Sequence, residues 1–208
     1  MLRSVDTVIF DFGGVLCVNG SPYDFARRFP DRDPEEIVAA MMGEPGTDSD
    51  HPWHRVERGE LPMAEARAHF ADVFSRLGLD VPASSGPMTF VLNDAMVALV
   101  HDLRSAGLRL GVLTNNVKEF RPRWWPLLPF EDLFDDVLDS CEVGIRKPNP
   151  AIYRLALDRL GAEAARTAFL DDLAPNVAAA AAVGMHGVHV VDVGAEAIEQ
   201  TRRLAGIS

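Results

Sequence analysis

Three aspartates and a threonine stand where apolar runs of this sequence end, and a lysine stands in a loop between them. Asp11 follows Thr7–Phe10 and precedes Phe12-Gly13-Gly14-Val15. Thr114 follows Leu108–Leu113 and opens Thr114-Asn115-Asn116. Lys147 sits in Gly144-Ile145-Arg146-Lys147-Pro148, just before a helical pattern. Asp171-Asp172 follow Thr167–Leu170, with Asn176 one turn later. Three carboxylates gathered around an anionic ligand repel it unless a cation stands between. Mg²⁺ prefers oxygen ligands and keeps several waters. Between a carboxylate and a phosphate monoester dianion it removes the repulsion and orients in-line attack. The set therefore suits a site that holds a cation and, with it, an anionic ligand. Each member also has a plainer reading. Asp11 before two glycines is a turn residue, Thr114 and the Asp171-Asp172 pair are helix caps, and Lys147 is a solvated loop charge.

What must bring these residues together is a sheet. Thr7–Phe10, Leu108–Leu113, Thr167–Leu170 and Val188–Val191 read as buried strands. Between them lie helical patterns: Leu92, Met96, Leu99 and Leu103 form one stripe, and Asn149–Leu160, Pro175–Val183 and Ala195–Leu204 are further helices, two of them stopped by Gly161 and Gly184. The alternation predicts βαβ units and a doubly wound, mainly parallel α/β sheet. Ligands of such sheets bind beyond the carboxyl ends of the strands, where Asp11, Thr114 and Asp171-Asp172 are placed, with Lys147 in a loop between them. The Ala run at 178–182 predicts a helix packed closely on the sheet. Residues from about 20 to 86 differ. Pro34-Glu35-Glu36 opens a helix through Met42, Pro62 opens another with Ala66, Phe70, Val73 and Leu77 on one face, and Pro82–Pro87 reads as a linker. No strand is convincing there, and a small α-helical lobe inserted into the main domain is expected.

The 208 residues suit one sizeable domain or a core with a small second lobe, and 48% apolar residues supply a real core. The net charge of −11 and the lack of a basic run argue against nucleic acid and against anionic membranes. No apolar run approaches membrane-spanning length. Cys17 and Cys141 form neither a metal spacing nor a disulfide framework. With no secretory signal readable, a cytoplasmic location is expected.

The four segments in this order resemble the motifs of the haloacid-dehalogenase-like superfamily: an apolar strand ending in Asp11, a strand ending in Thr114, Lys147 in a G-x-x-K-P context, and an apolar strand ending in Asp171-Asp172. The resemblance covers essentially the whole chain. It implies a Rossmann-like core over 1–18 and 87–208 and a helical cap over 19–86. It implies Asp11 as nucleophile, passing through an aspartyl-phosphate. Asp11, Asp172, the Gly13 carbonyl and, through water, Asp171 would hold Mg²⁺. Thr114 and the Asn115 backbone N–H would bind phosphoryl oxygens, with Gly14 in the same loop, and Lys147 would neutralise charge on Asp11 and the phosphoryl group. The sequence departs from the pattern at Gly13, where most phosphatases of the superfamily carry a second Asp as general acid and base. The D-x-G-x-V, G-x-R-K-P and D-D-x-x-x-N forms are most similar to the glucose-1-phosphatase-like subgroup, which implies a small phosphorylated metabolite, such as a sugar phosphate, as substrate.

Trp53, His54 and Glu57 lie in the insert, where a cap would face the site; they are candidates for substrate contact, His54 first, and His54 or Glu57 is a candidate to protonate the leaving group in place of the carboxylate absent at Gly13. Their plainer reading is that Trp53 packs between helices and His54 is solvated. Arg121, Arg123, Trp124 and Trp125 read as packing residues, and His186 and His189 as structural. Two other functions stay open: a metal-independent carbon–halogen hydrolase, and a phosphate-binding protein without turnover. A homodimer is also left open.

Overall fold

The computed structural model describes residues 3–44, 46–79, 89–192 and 194–207. Five parallel strands form its sheet: β1 Thr7–Phe10, β2 Arg109–Thr114, β3 Asp136–Asp139, β4 Thr167–Asp171 and β5 His186–His189. Their spatial order is β3-β2-β1-β4-β5. The helices are α1 Pro22–Ala26, α2 Pro34–Met42, α3 Pro52–Glu57, α4 Met63–Leu77, α5 Asp94–Ser105, α6 Arg121–Trp124, α7 Phe130–Leu133, α8 Ser140–Val143, α9 Pro150–Leu160, α10 Ala174–Ala182 and α11 Ala195–Ala205.

The period-two alternation of strand side chains sorts the core into two layers. Val8, Phe10, Leu110, Val112, Ala168 and Leu170 point to one face, against Met96, Leu99, Val100 and Leu103 of α5 and Ala197 and Ala205 of α11. Ile9, Leu113 and Phe169 point to the other, against Ile152, Tyr153, Ala156 and Leu160 of α9 and Ala180 of α10. Small residues let helices approach. A Cβ at Gly187 would lie 2.7 Å from Val177 Cγ1, so α10, which carries the Ala run, packs closely on β5 as expected.

Two elements differ from the sequence reading. β3 has no counterpart there, and the last strand lies two residues earlier than Val188–Val191. Both are edge strands, each paired on one side only. Their polar residues, Asp136 and Asp139 in one and His186 and His189 in the other, break the apolar signature that marks the central strands.

Helices α1 to α4 all fall between β1 and α5, and no named strand occurs among the described residues of that stretch. Asp33 caps α2 through Glu35 N–H, and Gly78 closes α4 in the left-handed conformation. α1 and α2 share a small core of Ala26, Ile37, Val38 and Leu79. Val56 and Ala66 bring α3 and α4 onto Val117, just past β2. The chain leaves and re-enters the sheet domain at one place: Val18 N–H donates to Val91 O (2.8 Å), and the Asn19 side chain accepts from Val91 N–H (2.9 Å). The expected linker at Pro82–Pro87 and the expected boundary at 86/87 lie outside the described residues.

Candidate active site

The strand order places the topological switch between β1 and β4, the crevice in which doubly wound sheets bind ligands. Phe10 pairs with Leu170, so the next residues, Asp11 and Asp171, emerge side by side. Thr114 emerges from β2, in register with Asp139 of β3. Oxygens of Asp11, Asp171 and Asp172 all lie within 4.8 Å of one another. Lys147 reaches into this group from the loop before α9. Its Nζ is 2.9 Å from Asp11 Oδ1 and 2.7 Å from Asp171 Oδ2, with the side chain 1% exposed.

The neighbours of each group divide the labour. Asp11 Oδ1 also accepts from Phe12 N–H (2.7 Å), which leaves Oδ2 outside these bonds. The Asp171 carboxylate is saturated by Lys147, by the Asn176 amide (3.0 and 3.1 Å) and by Leu173 N–H (2.8 Å). Asp172 lies across Gly14. A Cβ at Gly14 would sit 2.5 Å from its carboxylate, and Gly14 holds φ at +72°, so this position needs glycine twice over. The Asn115 amide clamps the Lys147 loop, donating to Lys147 O (2.9 Å) and accepting from Lys147 N–H (2.8 Å). Ser140 Oγ accepts from Asn116 N–H, bracing the same turn from α8.

Burial pushes the Asp11 carboxyl up to about 7, against the pull of Lys147, and the neighbouring Asp171 adds to the rise. Burial pushes Asp172 up to about 8, with Asp171 and Asp11 adding repulsion. Burial depresses Lys147, but Asp11 and Asp171 outweigh it, and its ammonium is held above the usual lysine range. One lysine thus faces three converging carboxylates. A set of hard oxygen donors with excess negative charge fits a divalent cation such as Mg²⁺.

The carboxylates open into a cavity of about 400 Å³. Asp11, Gly13, Thr114, Asn115, Lys147 and Asp172 line it, together with His54, Trp53 and Glu57 from the insert. Gly14 and Asp171 are not part of the wall; they act on Asp172 and Lys147 from behind it. Trp53 packs edge-on against Phe70 at 5.9 Å. His54, in contrast to a solvated side chain, is 1% exposed. Its Nδ1 accepts from Ser49 N–H (3.1 Å), so the ring proton resides on Nε2, and burial depresses its pKa to about 4. Glu57 accepts from Arg146 Nε (2.7 Å) in a buried ion pair between α3 and the Lys147 loop. A neutral imidazole and a paired carboxylate are poor proton donors to a leaving group. Trp124 is buried against Phe12, and Arg121 lies 4.1 Å over the Trp125 ring, the packing role expected of them. His186 and His189 bond to Ala165 O and Asp172 O.

The sequence reading missed the Glu57–Arg146 pair, whose partners are 89 residues apart, and the aromatic part of the cavity wall. The Asn176 contact was foreshadowed by the D-D-x-x-x-N spacing.

This sheet, with its acidic switch point and inserted helices, defines a doubly wound α/β core with a candidate cation and anion site at its carboxyl edge. Residues 5–184 match the family model of the haloacid dehalogenase-like hydrolases, and the chain belongs to that family. Among relatives, it is 32% identical to mouse Acyl-CoA dehydrogenase family member 10, across 98% of this chain but only 19% of that protein. The chain thus spans about a fifth of that relative's length. It is 29% identical to the sesquiterpene phosphatase astK of Aspergillus oryzae, across 99% of this chain and all of that one. Among solved structures it is similar to a dehalogenase (TM-score 0.66, 18% identity, 91% of this chain and 86% of that one). It is also similar to a family enzyme of Bacteroides thetaiotaomicron in complex with magnesium and inorganic phosphate (TM-score 0.60, 19% identity, 90% and 95%). Among the described residues no helix is long and apolar enough to cross a membrane.

Proposed function

We propose that the protein is a Mg²⁺-dependent phosphohydrolase that cleaves small phosphate monoesters through an aspartyl-phosphate on Asp11. The observation that carries this reading is the convergence of Asp11, Asp171 and Asp172 on one another at the mouth of a cavity, with Lys147 paired to Asp11 and Asp171. With Oδ1 held by Lys147 and Phe12 N–H, Asp11 Oδ2 is the oxygen left to attack phosphorus. The ester P–O bond breaks as the Asp11–phosphorus bond forms, and the departing alkoxide takes a proton from water. Water then attacks phosphorus, restoring the Asp11 carboxylate and releasing inorganic phosphate. Lys147 neutralises charge on Asp11 and the transferred group, and Thr114 and Asn115 N–H bind its oxygens. Asp171 positions Lys147. Asp11, Asp172 and the Gly13 carbonyl would hold the metal, with Asp171 in support. Mg²⁺, when bound, supplies charge neutralisation and orientation of the phosphoryl group.

The helices over 22–77 are read as a cap that supplies the outer wall, and the metabolite enters beneath it. The fungal relative, matched over its whole length, is named a phosphatase, which supports this chemistry here. A metal-independent dehalogenase remains the second reading because structures of dehalogenases share the fold. Three converging carboxylates would repel a haloacid, which weighs against it. Hydrolysis of p-nitrophenyl phosphate is expected to require Mg²⁺, to vanish on chelation, and to be lost in Asp11→Asn with the fold retained. Full activity in excess chelator refutes the metal role, and a trapped phosphoryl group on another residue refutes the nucleophile.

A further inference from the structure

We propose, building on the phosphohydrolase reading above, that the cavity selects phosphate monoesters of alcohols with an apolar body over those of polyhydroxylated ones. Beyond the catalytic groups its wall is formed by Phe25, Val38, Met42, Trp53, Phe90 and Phe120. These come from three helices of the insert and from segments on either side of α5 and β2. The rings are held by aromatic neighbours: Phe25 stacks on Phe74 at 5.7 Å, Trp53 meets Phe70 edge-on at 5.9 Å, and Phe90 lies edge-on to both Phe12 (5.6 Å) and Phe120 (6.4 Å). The wall is therefore a preformed apolar surface inside a concave site, the setting in which apolar ligands bind.

Several of the polar side chains that also line the cavity are occupied within the protein, while Arg28, which lies over the Phe25 ring, Glu44 and His54 Nε2 are polar groups left to meet a ligand. The Asp24 carboxylate accepts from Gly20 and Ser21 N–H (2.7 and 3.1 Å). Glu57 and Arg146 hold each other, the Asn115 amide is spent on the Lys147 main chain, and the Asn176 amide on Asp171. Tyr23 Oη donates to Glu35 (2.9 Å). A sugar would bring several hydroxyls that lose water and find few partners, an unfavourable exchange. A hydrocarbon body needs no partners. Each methylene that it buries fully favours binding by about fourfold.

The experiment is a series of n-alkyl phosphates from ethyl to decyl, assayed with Mg²⁺ beside glucose 6-phosphate and p-nitrophenyl phosphate. All the alkyl esters are of primary alcohols, so leaving-group acidity hardly changes along the series. The expected result is a kcat/KM that rises about two- to fourfold per methylene and then levels as the cavity fills, with octyl phosphate at least tenfold above glucose 6-phosphate. A flat series, or glucose 6-phosphate ahead of octyl phosphate while p-nitrophenyl phosphate is turned over, overturns the apolar selection and leaves the phosphohydrolase reading standing. Failure of every ester, p-nitrophenyl phosphate included, overturns both. Met42→Gln tests the location. Met42 is half-buried at the end of α2, and the amide is expected to flatten the chain-length slope. Phe120→Gln gives the same readout should Met42→Gln fail to fold. A slope unchanged in the folded variant removes that wall from the binding surface.

Discussion

Lys147 is held in place by the same two carboxylates whose charge it offsets, so its loss should register in both rate and stability. For turnover, Lys147→Ala is expected to lower kcat by about a hundredfold or more and to change KM much less, because its charge matters most as negative charge develops in transfer. For stability, removing one partner of a buried pair costs roughly 3–5 kcal/mol. A wild-type kcat in the variant would reduce Lys147 to a structural residue. Gly13 raises the opposite question, of what a missing carboxylate does. General acid catalysis contributes about 10²–10⁴-fold, and neither His54 nor Glu57 is disposed to replace it. The rate across aryl phosphates is therefore expected to depend steeply on leaving-group acidity, measured in single turnovers so that chemistry limits. By the same logic, 1-phosphates of a sugar are expected to outrun its 6-phosphates. Gly13→Asp should flatten the aryl dependence. Its φ is not in the left-handed region, but a Cβ there would stand 3.0 Å from Gly20 O, so the loop must yield slightly. A wild-type series independent of leaving-group acidity would point to another proton donor.

At the scale of elements, the joint between α3 and the Lys147 loop is the Glu57–Arg146 pair. The two side chains are 8% and 11% exposed. Arg146 also donates to Thr47 O, which ties a second segment of the insert to the same loop. Glu57→Ala would leave the guanidinium buried without its counter-charge. A loss of about 3 kcal/mol in urea unfolding is expected, along with a rise in KM as the wall above Lys147 loosens. A change under about 0.5 kcal/mol would mean that the pair behaves as an exposed one.

For the whole molecule, excess negative charge at the switch point would link the proposed metal, protons and stability. Without metal, burial and mutual repulsion push the Asp11 and Asp172 carboxyls up to about 7 and about 8 in the folded state, far above the ordinary aspartate range. The folded state then holds more protons than the unfolded chain across this window. Stability of the metal-free protein should therefore fall as pH rises from about 4 through 7 to 8. Mg²⁺ would replace those protons. Its stabilising effect on Tm is expected to be larger at pH 8 than at pH 6, and its binding near pH 7 should release protons, visible by calorimetry in buffers of different ionisation enthalpy. Equal Tm gains at both pH values would contradict this linkage.

The central strands and the residues at their ends were legible in the sequence because burial on both faces makes β1, β2 and β4 continuous apolar runs, and because Asp11, Thr114 and Asp171-Asp172 stand where those runs stop. The order of the motifs carried the family, and the spacing of Asn176 after Asp171 carried a contact. The edge strands were less legible, since one paired side leaves room for polar residues such as Asp136 and His186. Only the tertiary structure decided that Asp171 is consumed in holding Lys147 while Asp172 faces the cavity. It also decided that Gly14 serves Asp172, that Asn115 clamps a main chain 32 residues away, and that His54 is buried and neutral. Such roles depend on which groups meet across long stretches of chain. Local residue pattern contains no distance between Glu57 and Arg146, nor any record of which polar side chains are already satisfied before a ligand arrives.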